Sequence, residues 1–162
     1  MTLSTGTTLP DAALLRVGDN GPEEVQLSSL TKGRKVVIFA LPGAYTGTCT
    51  TAHVPSFIRT AEQFKAKGVD DIICIAVNDP FVMDAWANST GGKAAGLHFL
   101  GDASAAFTKD IGMDFTAPPV GLHNRSKRYA MLVDDGVVTI LNEEGSPGEC
   151  EISAGETLLE QL

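Results

Sequence analysis

Uninterrupted apolar runs and helical spacings divide the first half of this chain into strands and a helix. The runs Lys35–Leu41 and Asp71–Val77 show no alternation and are rich in β-branched residues, which is typical of strands buried on both faces. Between them, apolar residues recur at spacings of three and four over Val54–Phe64, which predicts an amphipathic helix that begins near Cys49. Pro55 lies inside this segment, so we expect a kink there.

Shorter signals complete the predicted order of elements. An edge strand is predicted at 25–27, a helix at 81–87 with Pro80 in its first turn, and a strand at 97–100. A helix capped by Ser104 follows at 104–109, and then an irregular stretch at 112–127. Strands at 129–134 and 137–141 are joined by Asp135-Gly136, and a final helix covers 153–162 with Ser153 and Glu156 as a capping box.

The order of these elements, a βαβαβα run followed by a hairpin and a helix, predicts one α/β domain over residues 1–162. Helical crossovers produce a parallel core, and the hairpin adds antiparallel strands. We therefore expect a central mixed β-sheet with helices on both faces, preceded by a polar N-terminal extension over residues 1–30. This arrangement is compatible with a thioredoxin-like fold, and the order alone also allows a flavodoxin-like one.

Composition and charge narrow the class of partner. Lys plus Arg number 12 against 20 Asp plus Glu, a net charge of −8, which argues against nucleic acid or an anionic membrane surface. No apolar run approaches the roughly 18 residues of a membrane helix. The Ser/Thr-rich start, Met1–Leu9, resembles neither a secretory signal nor a transit peptide. The three cysteines, Cys49, Cys74 and Cys150, indicate a reducing compartment, and we expect a cytoplasmic location.

Cys49 is the main candidate for chemistry because it stands where a strand ends, a loop turns and a helix begins. The carboxyl ends of parallel strands collect the functional residues of α/β folds, and the start of a helix stabilises negative charge such as a thiolate. Thr46 lies three residues earlier, so we expect its hydroxyl to donate to the thiolate or to hold a substrate oxygen. Pro42 has no N–H and can shield the sulfur from water.

A thiolate also needs a fixed cation, and the basic run His123–Arg128 is the densest in the chain. Arg128 shares a predicted strand face with Ala130, so it is the residue of this run that we expect to point into the fold. A guanidinium remains charged and can bridge two acceptors in one plane. We expect Arg125 and Lys127 to be surface charges.

Spacing excludes several other uses of the cysteine. Tyrosine phosphatases need an arginine at the position that Pro55 occupies, and no CxxC pair is present for dithiol exchange. Gly92-Lys93 lacks the earlier glycine of a phosphate-binding loop. Cys49 and His53 are four residues apart, but no second pair completes a zinc site. We therefore expect His53 to lie on a polar helix face, and no histidine completes a cysteine-protease signature.

The motif Pro42-x-x-x-Thr46-x-x-Cys49 resembles the peroxidatic signature of the peroxiredoxins. Further motifs make the chain similar to their type II (atypical) subgroup: 37–55, Val77-Asn78-Asp79-Pro80-Phe81-Val82, Trp86 and Lys127-Arg128-Tyr129-Ala130. The resemblance implies a thioredoxin-like fold and a thiol peroxidase that needs no metal or organic cofactor. It also implies a homodimer with contacts near the active-site loop.

Carried onto this sequence, the resemblance implies that Cys49 is the peroxidatic cysteine and becomes a sulfenic acid. Thr46 and Arg128 would be its hydrogen-bonding and electrostatic partners, and Pro42 the shielding residue. The expected reaction is reduction of hydrogen peroxide and organic hydroperoxides, in antioxidant defence and redox homeostasis. Where the family loop has Phe-Thr-Pro, this chain has Tyr45-Thr46-Gly47, which predicts a less rigid loop.

The residue that regenerates Cys49 stays open among three alternatives. Cys74 lies in the middle of a predicted buried strand, so we interpret it as a core cysteine, and a Cys49–Cys74 disulfide would require local unwinding. Cys150 lies in the last loop, about two residues before the place where two-cysteine members of the subgroup carry a resolving cysteine. The third alternative is a one-cysteine cycle with glutathione, glutaredoxin or thioredoxin.

Two other classes of function use the same residue. A peroxide-sensing redox relay would oxidise Cys49 once and alter a binding surface. A non-enzymatic thioredoxin-like interaction module would require Cys49 to be unreactive.

Overall fold

The computed structural model describes residues 1–162 and contains nine strands and five α-helices. The strands are β1 (Ala13–Gly18), β2 (Gly21–Gln26), β3 (Lys35–Ala40), β4 (Asp71–Ala76), β5 (His98–Gly101), β6 (Asp114–Ala117), β7 (Leu122–Ser126), β8 (Tyr129–Asp134) and β9 (Val137–Glu143). The α-helices are α1 (Leu27–Thr31), α2 (Val54–Ala66), α3 (Pro80–Thr90), α4 (Ala106–Asp110) and α5 (Gly155–Glu160). A π-helical turn (Cys49–His53) leads into α2, and a 3-10 turn (Pro118–Val120) joins β6 to β7.

Seven strands form one mixed sheet in the order β2-β1-β5-β4-β3-β8-β9. β3 pairs in parallel with β4, and β4 with β5, whereas β8 runs antiparallel to β3. The antiparallel neighbour of β3 confirms the thioredoxin-like arrangement over the all-parallel flavodoxin-like one. β2 lies at one edge of the sheet, and the N-terminal segment runs along β9 at the other, with a bridge from Thr8 to Val137.

The central strand β3 separates two apolar layers, which confirms helices on both faces of the sheet. Val37 and Phe39 face the layer that contains α2, α3 and α5, where Phe39 stacks on Phe57 with ring centroids 4.2 Å apart. Val36 and Ile38 face the layer that contains α1 and α4. Each fully buried side chain of this size stabilises the fold by about 1.5–3 kcal/mol. The well-packed β3 thus gives the loop that follows it a rigid starting point.

Two parts of the chain are more regular than predicted. The N-terminal extension contains the additional strand β1, which pairs with β2 and is linked to it by an Arg16–Glu23 ion pair. The stretch predicted to be irregular, 112–127, forms the β6–β7 hairpin around Pro118–Val120. The additional strands were not predicted for the same reason in both places: they are short and half-exposed, so they lack a clear apolar period.

The predicted N-terminal cap of α4 was wrong. The helix begins at Ala106, and the carboxylate of Asp102 accepts hydrogen bonds from the amides of Phe107 and Thr108 at 3.3 and 2.8 Å. Ser104 accepts only a long bond of 3.3 Å from the Ala106 amide. A carboxylate at a helix start stabilises it through both its hydrogen bonds and its charge.

The predicted capping box of the last helix was also wrong. α5 begins at Gly155, without a side-chain cap. The hydroxyl of Ser153 donates instead to Glu144 at 2.6 Å, and Glu156 forms an ion pair with Arg59 of α2. Long-range contacts therefore use both side chains that the local motif assigns to the cap.

Pro55 lies in the first turn of α2, and a π-helical turn, which was not predicted, precedes that helix. In this turn the Val54 amide donates to the Cys49 carbonyl, one residue further along than in an α-helix. Pro55 has no amide proton, so it cannot donate a backbone hydrogen bond where the π-helical turn passes into α2. Such turns are common at functional sites. None of the helices has the length and apolar character needed to cross a membrane.

Candidate active site

The sheet register brings Cys49 and Arg128 together across 79 residues of chain. Tyr129 of β8 lies opposite Ala40 of β3, so Arg128 stands beside the start of the loop that leads to Cys49. The distance from Arg128 Nη2 to Cys49 Sγ is 3.1 Å. Both residues are buried, with exposures of 2% and 0%. Arg128 thus points into the fold, as its strand position predicts.

The guanidinium of Arg128 contacts three groups: the sulfur of Cys49, the Pro147 carbonyl and the ring of His53. Its Nε and Nη2 donate to the Pro147 carbonyl at 3.0 and 2.9 Å. Its Nη1 donates to His53 Nδ1 at 3.0 Å. Because charge-assisted hydrogen bonds are stronger than neutral ones, this arrangement fixes a permanent cation against the sulfur and stabilises negative charge on it.

His53 is buried rather than on a polar helix face, so that prediction was wrong. Its Nε2 lies 3.0 Å from the carbonyl of Ser153 and must donate, which leaves Nδ1 as the acceptor for Arg128. Burial first, and then the charge of Arg128, lower the pKa of His53 to about 3. The imidazole is therefore neutral at physiological pH, which is the form that can accept from a guanidinium. The i, i+4 spacing from Cys49 was the only sequence signal of its place here.

The loop 144–153 covers Arg128 and is closed by Glu144. Its Oε2 accepts from the amides of Glu151 and Ser153 at 2.8 and 2.7 Å, and from the Ser153 hydroxyl at 2.6 Å. Burial by itself would raise the pKa of Glu144, but the hydrogen bonds from Ser153 and Glu151 and the charge of Arg128 lower it. Sequence reasoning missed Glu144 because nothing local distinguishes it from its exposed neighbour Glu143.

The loop between β3 and Cys49 is fixed by side chains from two other elements. Arg125 Nη1 donates to the Pro42 carbonyl at 3.0 Å, and Asn78 Oδ1 accepts from the Ala44 amide at 2.9 Å. Arg125 is therefore not the surface charge that we predicted, whereas the side chain of Lys127 is 43% exposed and its Nζ lies 3.7 Å from Glu143. Pro42 is buried in this loop.

Thr46 does not donate to the sulfur. Its hydroxyl donates to the carbonyl of Gly43 at 2.7 Å, so one of the two expected uses of this side chain, donation to the thiolate, is wrong for this structure. The bond leaves the oxygen of Thr46 as an acceptor, which suits the remaining use, holding the O–H of a bound substrate. Nearby, Thr48 Oγ1 donates to the Gly148 carbonyl at 3.0 Å and joins the helix start to the 144–153 loop.

The other two cysteines differ in accessibility, and all three are free. Cys74 lies in the middle of β4, opposite Phe39 of β3, and is fully buried, which raises its pKa. It belongs to the same apolar layer as Cys49, in agreement with the core position predicted for it. Cys150 is half-buried in the 144–153 loop, and burial raises its pKa as well.

A thioredoxin-like fold with a helix-start cysteine against a buried arginine defines a thiol-based oxidoreductase, and comparison with known proteins specifies which. The model of the Redoxin family matches residues 4–159. Peroxiredoxin-2C of Oryza sativa subsp. japonica is 45% identical over 99% of this chain and 98% of its own length. Peroxiredoxin-2E-2, chloroplastic, of the same organism is 46% identical over 99% of this chain and 73% of its own length.

A solved structure gives the same result. Reduced Prx3 in complex with H2O2 from Vibrio vulnificus superposes with a TM-score of 0.90 at 45% identity, and the match covers 99% of each chain. The chain belongs to the redoxin family and, within it, to the type II peroxiredoxins. The resemblance drawn from its motifs is confirmed, and the protein is a thiol peroxidase, an oxidoreductase that acts on peroxides.

Proposed function

We propose that Cys49 is the residue that reduces the peroxide, and the observation that carries this is the 3.1 Å contact between its Sγ and Arg128 Nη2. The thiolate attacks the terminal oxygen of the hydroperoxide, which keeps its proton. An S–O bond forms, the O–O bond breaks, and the leaving oxygen takes a proton from water. The products are a cysteine sulfenic acid and water or an alcohol.

The residues around Cys49 have separate parts in this step. Arg128 stabilises the negative charge that develops on the leaving oxygen. The Thr46 oxygen accepts the O–H of the peroxide and orients the O–O bond in line with the sulfur. Pro42, which is buried within the loop that leads to Cys49, keeps water from the thiolate. Loss of any one of these should slow the oxidation of Cys49 without preventing folding.

Replacement of Cys49 by Ser tests the proposal. We expect Cys49→Ser to abolish peroxide consumption in stopped-flow assays, while Cys74→Ser keeps the first turnover because Cys74 is a core residue on β4. Wild-type turnover in Cys49→Ser would show that the assignment is wrong. Repeated turnover with a reductant also separates a peroxidase from a redox relay, which would be oxidised once and stop.

We propose Cys150 as the group that resolves the sulfenic acid. It is more exposed than Cys74, and its loop already contacts the residue before Cys49 through the Thr48–Gly148 hydrogen bond. The Cys150 thiolate would attack the sulfur of the Cys49 sulfenic acid, form the S–S bond and break the S–O bond, and the displaced hydroxide would take a proton from solvent to leave as water. Mass spectrometry after one equivalent of peroxide should show a Cys49–Cys150 bond. A Cys49–Cys74 bond, or only an acid, would refute the assignment.

The reductant we propose is thioredoxin, with glutaredoxin plus glutathione able to act on Cys49 directly. A Cys49–Cys150 disulfide is a substrate for thioredoxin, whereas Cys150→Ser leaves a sulfenic acid for glutathione. We therefore expect Cys150→Ser to lose turnover with thioredoxin and to keep it with glutaredoxin. Three free cysteines suit a reducing compartment such as the cytoplasm.

We propose a homodimer through the face around the active-site loop. Tyr45 and Phe81 are large apolar side chains that are 56% and 62% exposed. The Ala44–Asn78 hydrogen bond holds their two segments side by side. Paired exposed aromatic residues favour association. Sedimentation should show a dimer that Phe81→Glu weakens, and a wild-type monomer at high concentration would exclude it.

A further inference from the structure

The carboxylate of Glu144 closes a loop whose contacts determine where Arg128 lies. One oxygen, Oε2, accepts all three bonds, from the Glu151 amide and from the amide and hydroxyl of Ser153. Ser153 is fully buried, and Glu144 is 9% exposed. Its sequence neighbour Glu143 instead faces solvent and lies near Lys127. The two adjacent glutamates therefore differ completely in what they contact.

Besides the sulfur of Cys49, the guanidinium of Arg128 has two partners, and the position of both depends on this loop. The Pro147 carbonyl, which accepts two bonds from Arg128, lies inside the closed segment 144–153. His53, the other of these two partners, is fixed by donating to the carbonyl of Ser153 at the end of the segment. Removal of the Glu144 acceptor would leave two buried donors of Ser153 without partners, which is costly. The loop must then open to hydrate them and carry the Pro147 carbonyl away.

We propose that Glu144 is a positioning residue that holds Arg128 against Cys49 by closing the 144–153 loop. It does not touch the substrate and acts through Pro147 and His53. The inference rests on the proposed reaction of Cys49. It assigns to Glu144 a task that depends on an acceptor oxygen and not on negative charge, because all three donors are neutral groups.

Three variants and one control test whether Glu144 acts through its acceptor oxygen or through its negative charge. Glu144→Ala removes the acceptor, Glu144→Gln keeps an acceptor oxygen without charge, and Ser153→Ala removes one donor. Glu143→Ala is the matched control, since it makes the same change one residue earlier on the surface. The rate of Cys49 oxidation by hydrogen peroxide in a single turnover and the pH profile of its alkylation by iodoacetamide are measured for each.

We expect Glu144→Ala to slow oxidation by about tenfold or more, equivalent to losing one well-made hydrogen bond to a charged group. Its alkylation profile should move to higher pH, because Arg128 no longer stabilises the thiolate. Glu144→Gln should remain within about threefold of wild type, and Ser153→Ala should lie between the two. Glu143→Ala should match wild type in both measurements.

Wild-type rate and profile in folded Glu144→Ala would overturn the inference. Equal losses in Glu144→Gln and Glu144→Ala would also overturn it, because charge rather than loop closure would then be responsible. Should Glu144→Ala fail to fold, Ser153→Ala decides, and a wild-type rate there counts against the proposal. Cys49→Ser tests the reaction itself, so failure of the proposed function is seen separately.

Discussion

The imidazole of His53 bridges Arg128 and the backbone of Ser153, with 3.0 Å on each side. The bridge needs a neutral ring with its proton on Nε2, because protonation of Nδ1 would place two donors against each other. Burial and the charge of Arg128 keep the ring in this state, with a pKa of about 3. The position of the cation beside Cys49 therefore depends on a histidine that stays uncharged.

Stability should fall in acid because of His53. At pH values between the ordinary pKa of His53, about 6.5, and its folded value of about 3, His53 is protonated in the unfolded state and neutral in the folded state. The free energy of unfolding therefore decreases as the pH falls through this range, by at most about 1.4 kcal/mol per pH unit from this residue. Urea unfolding at a series of pH values measures the slope.

His53→Asn isolates this contribution. Asn can present an acceptor near the place of Nδ1 but does not titrate, so the acid slope should be smaller than in wild type. His123→Asn is the matched control, because His123 is exposed and outside the bridge. An unchanged slope in His53→Asn would contradict the proposed origin of acid sensitivity.

Replacement of Arg128 by Lys should slow peroxide reduction by about 100-fold, or 2.7 kcal/mol of transition-state stabilisation. Lysine keeps the charge but cannot donate to Pro147, His53 and Cys49 in one plane. Single-turnover oxidation of Cys49 is the measurement, and Lys127→Arg at the half-exposed neighbouring position is the control. If Arg128→Lys is as fast as wild type, charge alone suffices and the planar contacts have no catalytic effect.

We expect formation of the proposed Cys49–Cys150 disulfide to loosen the π-helical turn, and the single tryptophan can report on this change. Trp86 is fully buried, and its Nε1 donates to Thr50 in the π-helical turn at 3.1 Å. Loss of this bond on disulfide formation should change the emission of Trp86. The change should be absent in Cys49→Ser and reduced in Cys150→Ser.

The same experiment has a clear negative outcome. A disulfide seen by mass spectrometry without any change in emission would mean that the π-helical turn stays folded during resolution. Thr50→Val gives the reference signal, because it removes the partner of Trp86 in the reduced protein.

The contact between the last helix and α2 predicts a strong effect of a small substitution. A Cβ at Gly155 would lie 2.5 Å from the Ser56 carbonyl and 2.5 Å from Thr60 Oγ1. Gly155→Ala should therefore lower the free energy of unfolding by about 1–3 kcal/mol. Gly148→Ala is the control, since nothing lies within 4 Å of that Cβ. Equal urea midpoints for the two variants would contradict the tight packing.

The sequence predicted the parts of the fold whose signals are local. The runs that became β3 and β4 are long and apolar, and Asp135-Gly136 marks the β8–β9 hairpin. Cys49 and Arg128 were found because one stands at a junction of elements and the other on an interior strand face. These inferences needed only neighbouring residues.

The missed side-chain roles depend on contacts with residues outside their own helix or strand. The partners of His53 lie 75 and 100 residues further along the chain. Those of Glu144 lie 7 and 9 residues further along, in a loop without regular structure. Arg125 contacts Pro42 across 83 residues. The spacing of polar residues in the sequence does not predict which backbone group a polar side chain will bond to. The burial of such side chains is therefore known only from the folded structure.

The two margins of the main sheet prevent its growth by strand addition. At β2 the sequence Gly-Pro-Glu-Glu offers no N–H at Pro22 and places Glu23 and Glu24 on the outer strand. At β9 the amide and carbonyl of Val138 are already bonded to residues 6 and 7 of the N-terminal segment. Unpaired strand margins are templates for aggregation. Protection at both margins thus lowers the tendency of the sheet to template fibrils, whatever movement the active-site turn undergoes during catalysis.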